Sequence, residues 1–180
     1  MDTLNIAIIG ECMVELQRQN NDIRQGFGGD TLNTAWYVRG LTGEGGRKVR
    51  YVSAVGTDAL SEAMLGFLSD AGIDTRAVQR LKERTVGLYL ITLTGAERSF
   101  TYWRKDAAAR RLASDAAQLK LALDGVGTAY LSGITLAILE PADRARLFQA
   151  LAGLKSSLPS PSGRRPGEGH AAESKPNRPS

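Results

Sequence analysis

Leu4-Asn-Ile-Ala-Ile-Ile-Gly-Glu-Cys-Met-Val-Glu-Leu16 is the part of this chain that indicates its fold most clearly. Its first part, residues 4–9, is apolar and rich in β-branched side chains, which is typical of a strand buried on both faces of a parallel sheet. Gly10 ends that run, and residues 13–16 follow as a second, half-exposed strand. The stretch therefore predicts a buried strand that leads directly into a strand of a different kind.

Outward from this stretch, strand and helix patterns alternate along the chain. The most regular is the helix predicted at 59–71, where apolar residues recur at helical spacing and Gly72 stands where the helix ends. This alternation predicts an α/β fold with a mostly parallel sheet. The alternating segments are 4–9, 30–41, 49–55, 59–71, 115–123, 129–131 and 141–154. The strands predicted at 13–16, 85–94 and 98–104 interrupt the alternation and are expected to form a small sheet of their own.

The sequence predicts which side chains of the first and the last helix point into the core. Asp30 is the predicted N-cap of the first helix, whose inner face would carry Trp36 together with Leu32 and Ala35. Pro141 is suited to the first turn of the last helix, in which Phe148 is expected to point inward.

The composition changes at the end of the chain. Residues 156–180 contain five of the six prolines and six serines, so they cannot bury enough apolar surface to offset the entropy lost on ordering. We therefore expect a folded part at 1–155 and a disordered tail at 156–180, which would be a linker, an interaction arm or the sign of a C-terminally truncated chain.

Overall composition excludes several classes of function. The chain has 180 residues and a formal charge of +4, and half of that charge belongs to the tail, so the folded part has no nucleic-acid-binding signature. One cysteine and one histidine exclude a disulfide framework, a thiolate metal cage and a histidine zinc cluster. No apolar run reaches about 18 residues and no signal peptide is recognisable, so we expect a cytoplasmic protein without membrane contact.

Residues 26–34 combine a glycine-rich segment with the start of a helix. The glycines at 26, 28 and 29 predict a flexible loop that lets a ligand approach the backbone. Free N–H groups of the helix, an acceptor at Asp30 and the amide of Asn33 suit the hydroxyl groups of a polyol. The same pattern also fits a plain capped helix with Asn33 on the surface.

Residues 100–105 carry a second candidate pattern. On a strand, Phe100, Tyr102 and Arg104 lie on one face, and Tyr89 on the partner strand of the predicted hairpin would share it. An arginine beside aromatic rings is suited to binding a carboxylate. The alternative is a cross-strand aromatic pair with Arg104 in solvent.

Six segments together resemble one family of enzymes. They are 10–16, 28–35, 55–58, 87–89, 100–104 and 130–134, and they occur in the order found in the PfkB/ribokinase-like carbohydrate kinases, most similarly in the branch acting on 2-keto-3-deoxygluconate. The resemblance covers residues 4–154. It implies a three-layer α/β/α domain with a small β-sheet lid, formed by strands at about 13–27 and 85–104.

The resemblance also implies a reaction, the transfer of the γ-phosphoryl group of ATP with Mg²⁺ to a sugar acid. The substrate contacts that it implies are Gly29, Asp30, Asn33, Tyr89, Tyr102, Arg104, Ile134 and Glu15. The family's catalytic aspartate lies in a G-A-G-D motif, which does not occur in these 180 residues, so neither a catalytic residue nor a nucleotide or metal site is predicted.

Other interpretations of the resemblance stay open. The chain would be a different sugar kinase of the family, such as a fructokinase, or a non-catalytic module that binds sugar acids. An acid substrate needs Arg104 and a neutral sugar does not, so Arg104 distinguishes a kinase for a sugar acid from a fructokinase. A homodimer formed through the lid is a further expectation from the resemblance.

Overall fold

The computed structural model of the chain describes residues 5–19, 22–43, 45–95 and 97–157. The predicted tail lies outside the described residues from residue 158 onward. In chain order the elements are β1 (Asn5–Ile9), β2 (Met13–Gln19), β3 (Asp22–Gly28), α1 (Asp30–Thr42), β4 (Val49–Val52), β5 (Ala54–Val55), α2 (Ala59–Asp70), β6 (Gln79–Arg80), β7 (Gly87–Thr94), β8 (Glu97–Trp103), a 3₁₀ helix (Ala108–Arg111), α3 (Ala116–Ala122), β9 (Val126–Leu131), α4 (Gly133–Ile138) and α5 (Pro141–Ser157).

The central sheet is parallel, with strand order β4-β1-β9. Successive side chains of a strand point to opposite faces. Accordingly, Ile8 packs in a core with the helices α1 and α2, whereas Ala7 and Ile9 pack in a second core with α3 and α5. Helices therefore cover both faces of the sheet, which confirms the predicted three-layer α/β/α architecture.

A second sheet, which we call the lid sheet, has the strand order β3-β2-β7-β8. β2 and β7 run parallel, while β3 and β8 are antiparallel to their neighbours. The small separate sheet expected from residues 13–16, 85–94 and 98–104 is thereby confirmed. Gly26 and Gly28 are part of β3, so the prediction of a flexible loop at these two glycines was wrong.

The strand predicted at 49–55 is two strands in different sheets. The carbonyl of Val52 accepts from the N–H of Gly10 at 3.1 Å, so up to this residue the segment pairs with the end of β1. One residue later the carbonyl of Ser53 accepts from the N–H of Gln79 at 3.0 Å, and β5 pairs with β6. The single-strand prediction failed because the hydrophobic pattern runs unbroken across this change of partner.

Two predicted core residues lie at the surface. Trp36 is 47% exposed and stacks on Phe67 of α2, with ring centroids 5.4 Å apart, so its ring covers the outside of α2. Phe148 is 51% exposed, while Leu147 beside it is fully buried. The apolar face of each helix is thus narrower than the sequence pattern indicates.

Helix α4 was not predicted from the sequence. Ser132 and Thr135 form a capping box at its start, and the Thr135 hydroxyl also donates to the Ile9 carbonyl at 2.9 Å. This hydrogen bond holds the start of α4 against the end of β1, which brings Ile134 to the same edge of the sheet.

Candidate functional site

One cavity lies where the end of β1, the start of α1 and the lid sheet meet, and we call it the lid cavity. Its volume is about 170 Å³. Its lining residues are Glu11, Met13, Gly29, Asp30, Tyr89, Phe100, Tyr102, Arg104 and Ile134. In α/β folds, ligands bind outside the carboxyl ends of the strands. A larger cavity of about 570 Å³ lies between α3, β9 and α5, but it is lined by no aromatic side chain among the described residues.

Gly29 joins the lid sheet to helix α1 and forms the floor of the lid cavity. Its φ is 147°, a backbone conformation that side chains disfavour, and a Cβ here would lie 2.7 Å from the carbonyl oxygen of Glu11. Only glycine therefore allows the start of α1 to approach the end of β1 so closely. Thr31 reinforces the contact, because its hydroxyl donates to the Glu11 carbonyl at 3.2 Å.

The start of α1 differs from the sequence prediction. Gly29 is the N-cap, and no side chain caps the helix. Asp30 lies in the first turn, where its Oδ1 accepts from the N–H of Thr31 at 2.8 Å. The prediction of Asp30 as N-cap was therefore wrong, and its carboxylate instead borders the lid cavity. Asn33 is exposed and does not line this cavity.

Aromatic rings from two strands form the lid side of the cavity. Tyr89 of β7 stands directly opposite Tyr102 of β8, and the ring centroids are 5.8 Å apart. Phe100 stacks beside Tyr102 at 6.3 Å, and the Arg104 guanidinium lies 5.8 Å from the Tyr102 ring centre. The shared strand face expected from the sequence is confirmed, and Arg104 borders the cavity with its rings rather than standing apart in solvent.

Glu11, which sequence reasoning missed, forms an ion pair with Arg104 inside the lid cavity. The Glu11 carboxylate accepts from Nη2 of Arg104, and the two side chains are 2% and 23% exposed. Burial raises the pKa of Glu11, although the charge and the hydrogen bond of Arg104 oppose the rise. The position of Glu11 directly after a buried strand was a usable signal, because strand ends line sites in this class of fold.

Glu15 reaches the cavity only through Tyr89. The Tyr89 hydroxyl donates to Oε2 of Glu15, and burial together with this carboxylate raises the pKa of Tyr89. A side chain at Gly28 would overlap the Tyr89 hydroxyl, so glycine at that position leaves room for the pair. Glu15 thereby fixes the orientation of the phenol that faces the lid cavity.

Residues 3–159 match the model of the pfkB family carbohydrate kinases. The chain belongs to the pfkB family. It is 46% identical over 160 residues to a 2-dehydro-3-deoxygluconokinase of Dickeya dadantii, covering 87% of this chain and 52% of that protein. The protein of the same name from Escherichia coli K12 is 43% identical over 149 residues, covering 81% of this chain and 48% of the relative.

Solved structures of pfkB proteins share this fold. The 2-dehydro-3-deoxygluconokinase of Thermotoga maritima superimposes with a TM-score of 0.71 at 21% identity, covering 85% of this chain and 48% of that one. A pfkB family carbohydrate kinase from Listeria grayi gives a TM-score of 0.72 at 21% identity, with 84% and 48% covered. The pfkB chain described here spans about half the length of the curated relatives it matches.

The lid cavity of this pfkB chain contains most of the residues that the sequence resemblance implied. Those that line it are Gly29, Asp30, Tyr89, Tyr102, Arg104 and Ile134. Asn33 and Glu15 do not line it. The contacts of these residues with a substrate stay predictions.

Proposed function

We propose that this chain carries the sugar-acid-binding part of an ATP-dependent kinase for 2-keto-3-deoxygluconate. The observation that carries the proposal is the position of Arg104 in the lid cavity, beside the ring of Tyr102, in a lining that also contains Asp30. A substrate with a carboxylate, a short carbon chain and several hydroxyls matches these three kinds of group. The names of the curated relatives support the same choice.

Each group has a proposed role in substrate binding. The guanidinium of Arg104 would hold the carboxylate through charge-assisted hydrogen bonds. The rings of Tyr89 and Tyr102 would pack against the carbon chain and exclude water from it. Asp30 would accept a hydrogen bond from a substrate hydroxyl, and the backbone at Gly29 would border the ligand. These residues would bind and orient the acid. Positioning of the acceptor is a main contribution of the enzyme in phosphoryl transfer.

Membership of the family implies ATP with Mg²⁺ as phosphoryl donor. Among the described residues, no group of three or more His, Cys, Asp or Glu would hold a metal ion. At the lid cavity, Glu11 is bound to Arg104, and Asp30 accepts from the N–H of Thr31. The described residues do not fit a nucleotide or Mg²⁺ site, and we derive no catalytic step from them.

Use of ATP favours the cytoplasm as the place of action. No helix among the described residues is long and apolar enough to span a membrane.

Fluorescence of Trp103 tests the proposal directly. Trp103 lies between Tyr102 and Arg104 in sequence and is 56% exposed, so lid occupancy should change its emission. The chain has two tryptophans, and the Trp36→Phe background isolates the signal. We expect saturable quenching by 2-keto-3-deoxygluconate, with weaker responses to gluconate and fructose.

Replacement of Arg104 is the decisive variant. The loss of a hydrogen bond to a charged group costs about 1.5–3 kcal/mol, so Arg104→Ala should weaken binding of the acid roughly 10- to 100-fold. Arg98→Ala is the matched control, since Arg98 is exposed on the same strand and does not line the lid cavity. A flat titration in a sample whose circular dichroism is that of an α/β protein would overturn the proposal. Release of ADP from ATP in the presence of the acid tests the transfer step separately.

We also propose that two copies of the chain pair through their lid sheets. The exposed large hydrophobic side chains of this sheet include Ile23 at 56%, Leu93 at 40%, Phe100 at 48% and Trp103 at 56%. Sedimentation at micromolar concentration should give a dimer that Leu93→Asp dissociates. A wild-type monomer under the same conditions would contradict the dimer.

A further inference from the structure

The pair of Glu11 and Arg104 leaves one atom of each side chain unsatisfied. Oε1 of Glu11 and Nε of Arg104 are buried and have no hydrogen-bond partner among the described residues. Buried polar atoms in native proteins are nearly always paired, so an unpaired acceptor and an unpaired donor in one cavity indicate a site made for a further polar group. Both residues line the lid cavity.

The Glu11 carboxylate lies close to the backbone of β7. A Cβ at Gly87 of β7 would lie 2.6 Å from Oε1 of Glu11 and 3.3 Å from Cβ of Arg104. Glycine at this position gives the carboxylate its space, and the Glu11 side chain is only 2% exposed although it borders the lid cavity. Glu11 is therefore buried beside the guanidinium of Arg104.

The charges facing Glu11 come from three elements. Arg104 at the end of β8 touches it, Arg110 of the 3₁₀ helix acts at longer range, and Asp30 at the start of α1 repels it. The adjacent Cys12 is buried, and burial raises the pKa of its thiol, so it adds no charge at neutral pH. Apart from the tyrosines, the titratable side chains of the cavity lining are thus the carboxyl groups of Glu11 and Asp30 and the guanidinium of Arg104. A substrate carboxylate would be the third negative charge around Arg104.

We propose that binding of a sugar acid at Arg104 is coupled to the uptake of one proton by Glu11. In the free protein, Glu11 is ionised and shares its charge with Arg104. The substrate carboxylate takes over the guanidinium, and Glu11, left buried beside a second carboxylate, becomes protonated. The proton comes from solvent, no covalent bond of the substrate changes, and the net charge of the cavity is the same before and after binding. The inference rests on the proposed acid substrate.

This coupling follows from simple electrostatics. Two carboxylates that share a site cannot both stay ionised without cost, and one of them takes a proton. Burial already raises the pKa of Glu11 in the free protein, and arrival of the acid raises it further. Affinity for the acid is therefore constant below the free-state pKa of Glu11 and falls about tenfold per pH unit between the free-state and bound-state values. An uncharged sugar does not engage the guanidinium and shows no such dependence.

The test is the pH dependence of acid binding by the full 180-residue chain. Calorimetric titration with 2-keto-3-deoxygluconate in two buffers of different ionisation enthalpy measures the protons taken up, with fructose as the uncharged comparison. We expect uptake approaching about one proton per acid bound within the sloping region, and none with fructose. This measurement on the unmodified protein does not depend on any variant folding correctly.

Glu11→Gln supplies the second readout. It keeps the size of the side chain and an oxygen for Arg104 but cannot ionise, so acid affinity should become independent of pH and exceed the wild-type value at the alkaline end. Glu62→Gln is the matched control, because Glu62 is exposed and pairs with Arg80 outside the lid cavity. Acid binding without proton uptake, and with equal pH dependence in wild type and Glu11→Gln, would overturn the coupling alone. No saturable acid binding by wild type or by Glu62→Gln would overturn the proposed function itself.

Discussion

Replacing Arg104 by methionine should destabilise the protein in a way that depends on pH. Methionine keeps an unbranched apolar stem but removes the cation that faces Glu11. The Glu11 side chain is 2% exposed, so its carboxylate would be left buried without a counter-charge. This cost concerns the folded state alone, because both side chains are hydrated in the unfolded chain.

The magnitude follows from the burial of the pair. Removing one partner of a buried ion pair costs about 3–5 kcal/mol. The Arg104 side chain keeps 23% exposure, so water screens part of the interaction. We expect Arg104→Met to lose about 2–4 kcal/mol of unfolding free energy at alkaline pH. In a domain of this size that loss lowers Tm by roughly 5–15 °C.

The sign of the pH dependence is set by the raised pKa of Glu11. A carboxyl group with a higher pKa in the folded state binds its proton more tightly there, so its contribution to stability is complete below the ordinary value of 4.5 and is lost as pH rises through the folded-state pKa. Without Arg104 the folded-state pKa of Glu11 rises further. The deficit of Arg104→Met should therefore be small near the ordinary pKa and grow toward alkaline pH.

Urea denaturation at acidic and alkaline pH, followed by circular dichroism, measures this difference. The double variant Arg104→Met with Glu11→Gln should recover most of the loss, because the buried charge has gone. Arg80→Met is the matched control: its partner Glu62 is 59% exposed, and such surface pairs contribute about 1 kcal/mol or less. A deficit that does not change with pH, or a double variant no more stable than Arg104→Met, would refute the reasoning.

Three further predictions concern packing, capping and reactivity. Gly28→Ala should lower the free energy of unfolding by about 1–3 kcal/mol, because its methyl group overlaps the Tyr89 hydroxyl, whereas Gly26→Ala meets nothing within 4 Å and serves as control in the same urea titration. Asp58→Ala should cost about 0.5–2 kcal/mol in thermal denaturation, since Asp58 caps α2 through two backbone N–H groups, and an unchanged Tm would contradict the cap. Cys12 should resist iodoacetamide until the protein unfolds, because burial raises the pKa of its thiol; rapid labelling of the native protein would argue against that burial.

Much of the fold could be predicted because local patterns match the elements that form. The helix expected at 59–71 is α2, and Gly72 follows it with a φ of 73°. The hairpin pattern of 85–104 became β7 and β8, with Tyr89 on the face of Tyr102 as expected. Hydrophobic periodicity and turn residues act over a few positions of the chain. They can therefore be recognised without knowing which distant segments pack against an element.

Residues whose state depends on a distant partner could not be predicted. Trp36 has the helical spacing of a core residue, yet its ring stacks on Phe67 of another helix and stays 47% exposed. The split at Ser53 depends on Gln79, which is distant in sequence. Helix α4 is short, and its start is fixed by the hydrogen bond from Thr135 to Ile9, which no local pattern reveals.

The candidate site divides in the same way. The side chains of the lid face could be read from strand alternation, which places Phe100, Tyr102 and Arg104 together whatever surrounds them. The folded structure was needed to show that Glu11, far from Arg104 in the chain, supplies the counter-charge and that Asn33 lies outside the cavity. The physical reason is that alternation along a strand is a local property of the backbone, whereas burial and ion pairing depend on which distant segments fold against one another.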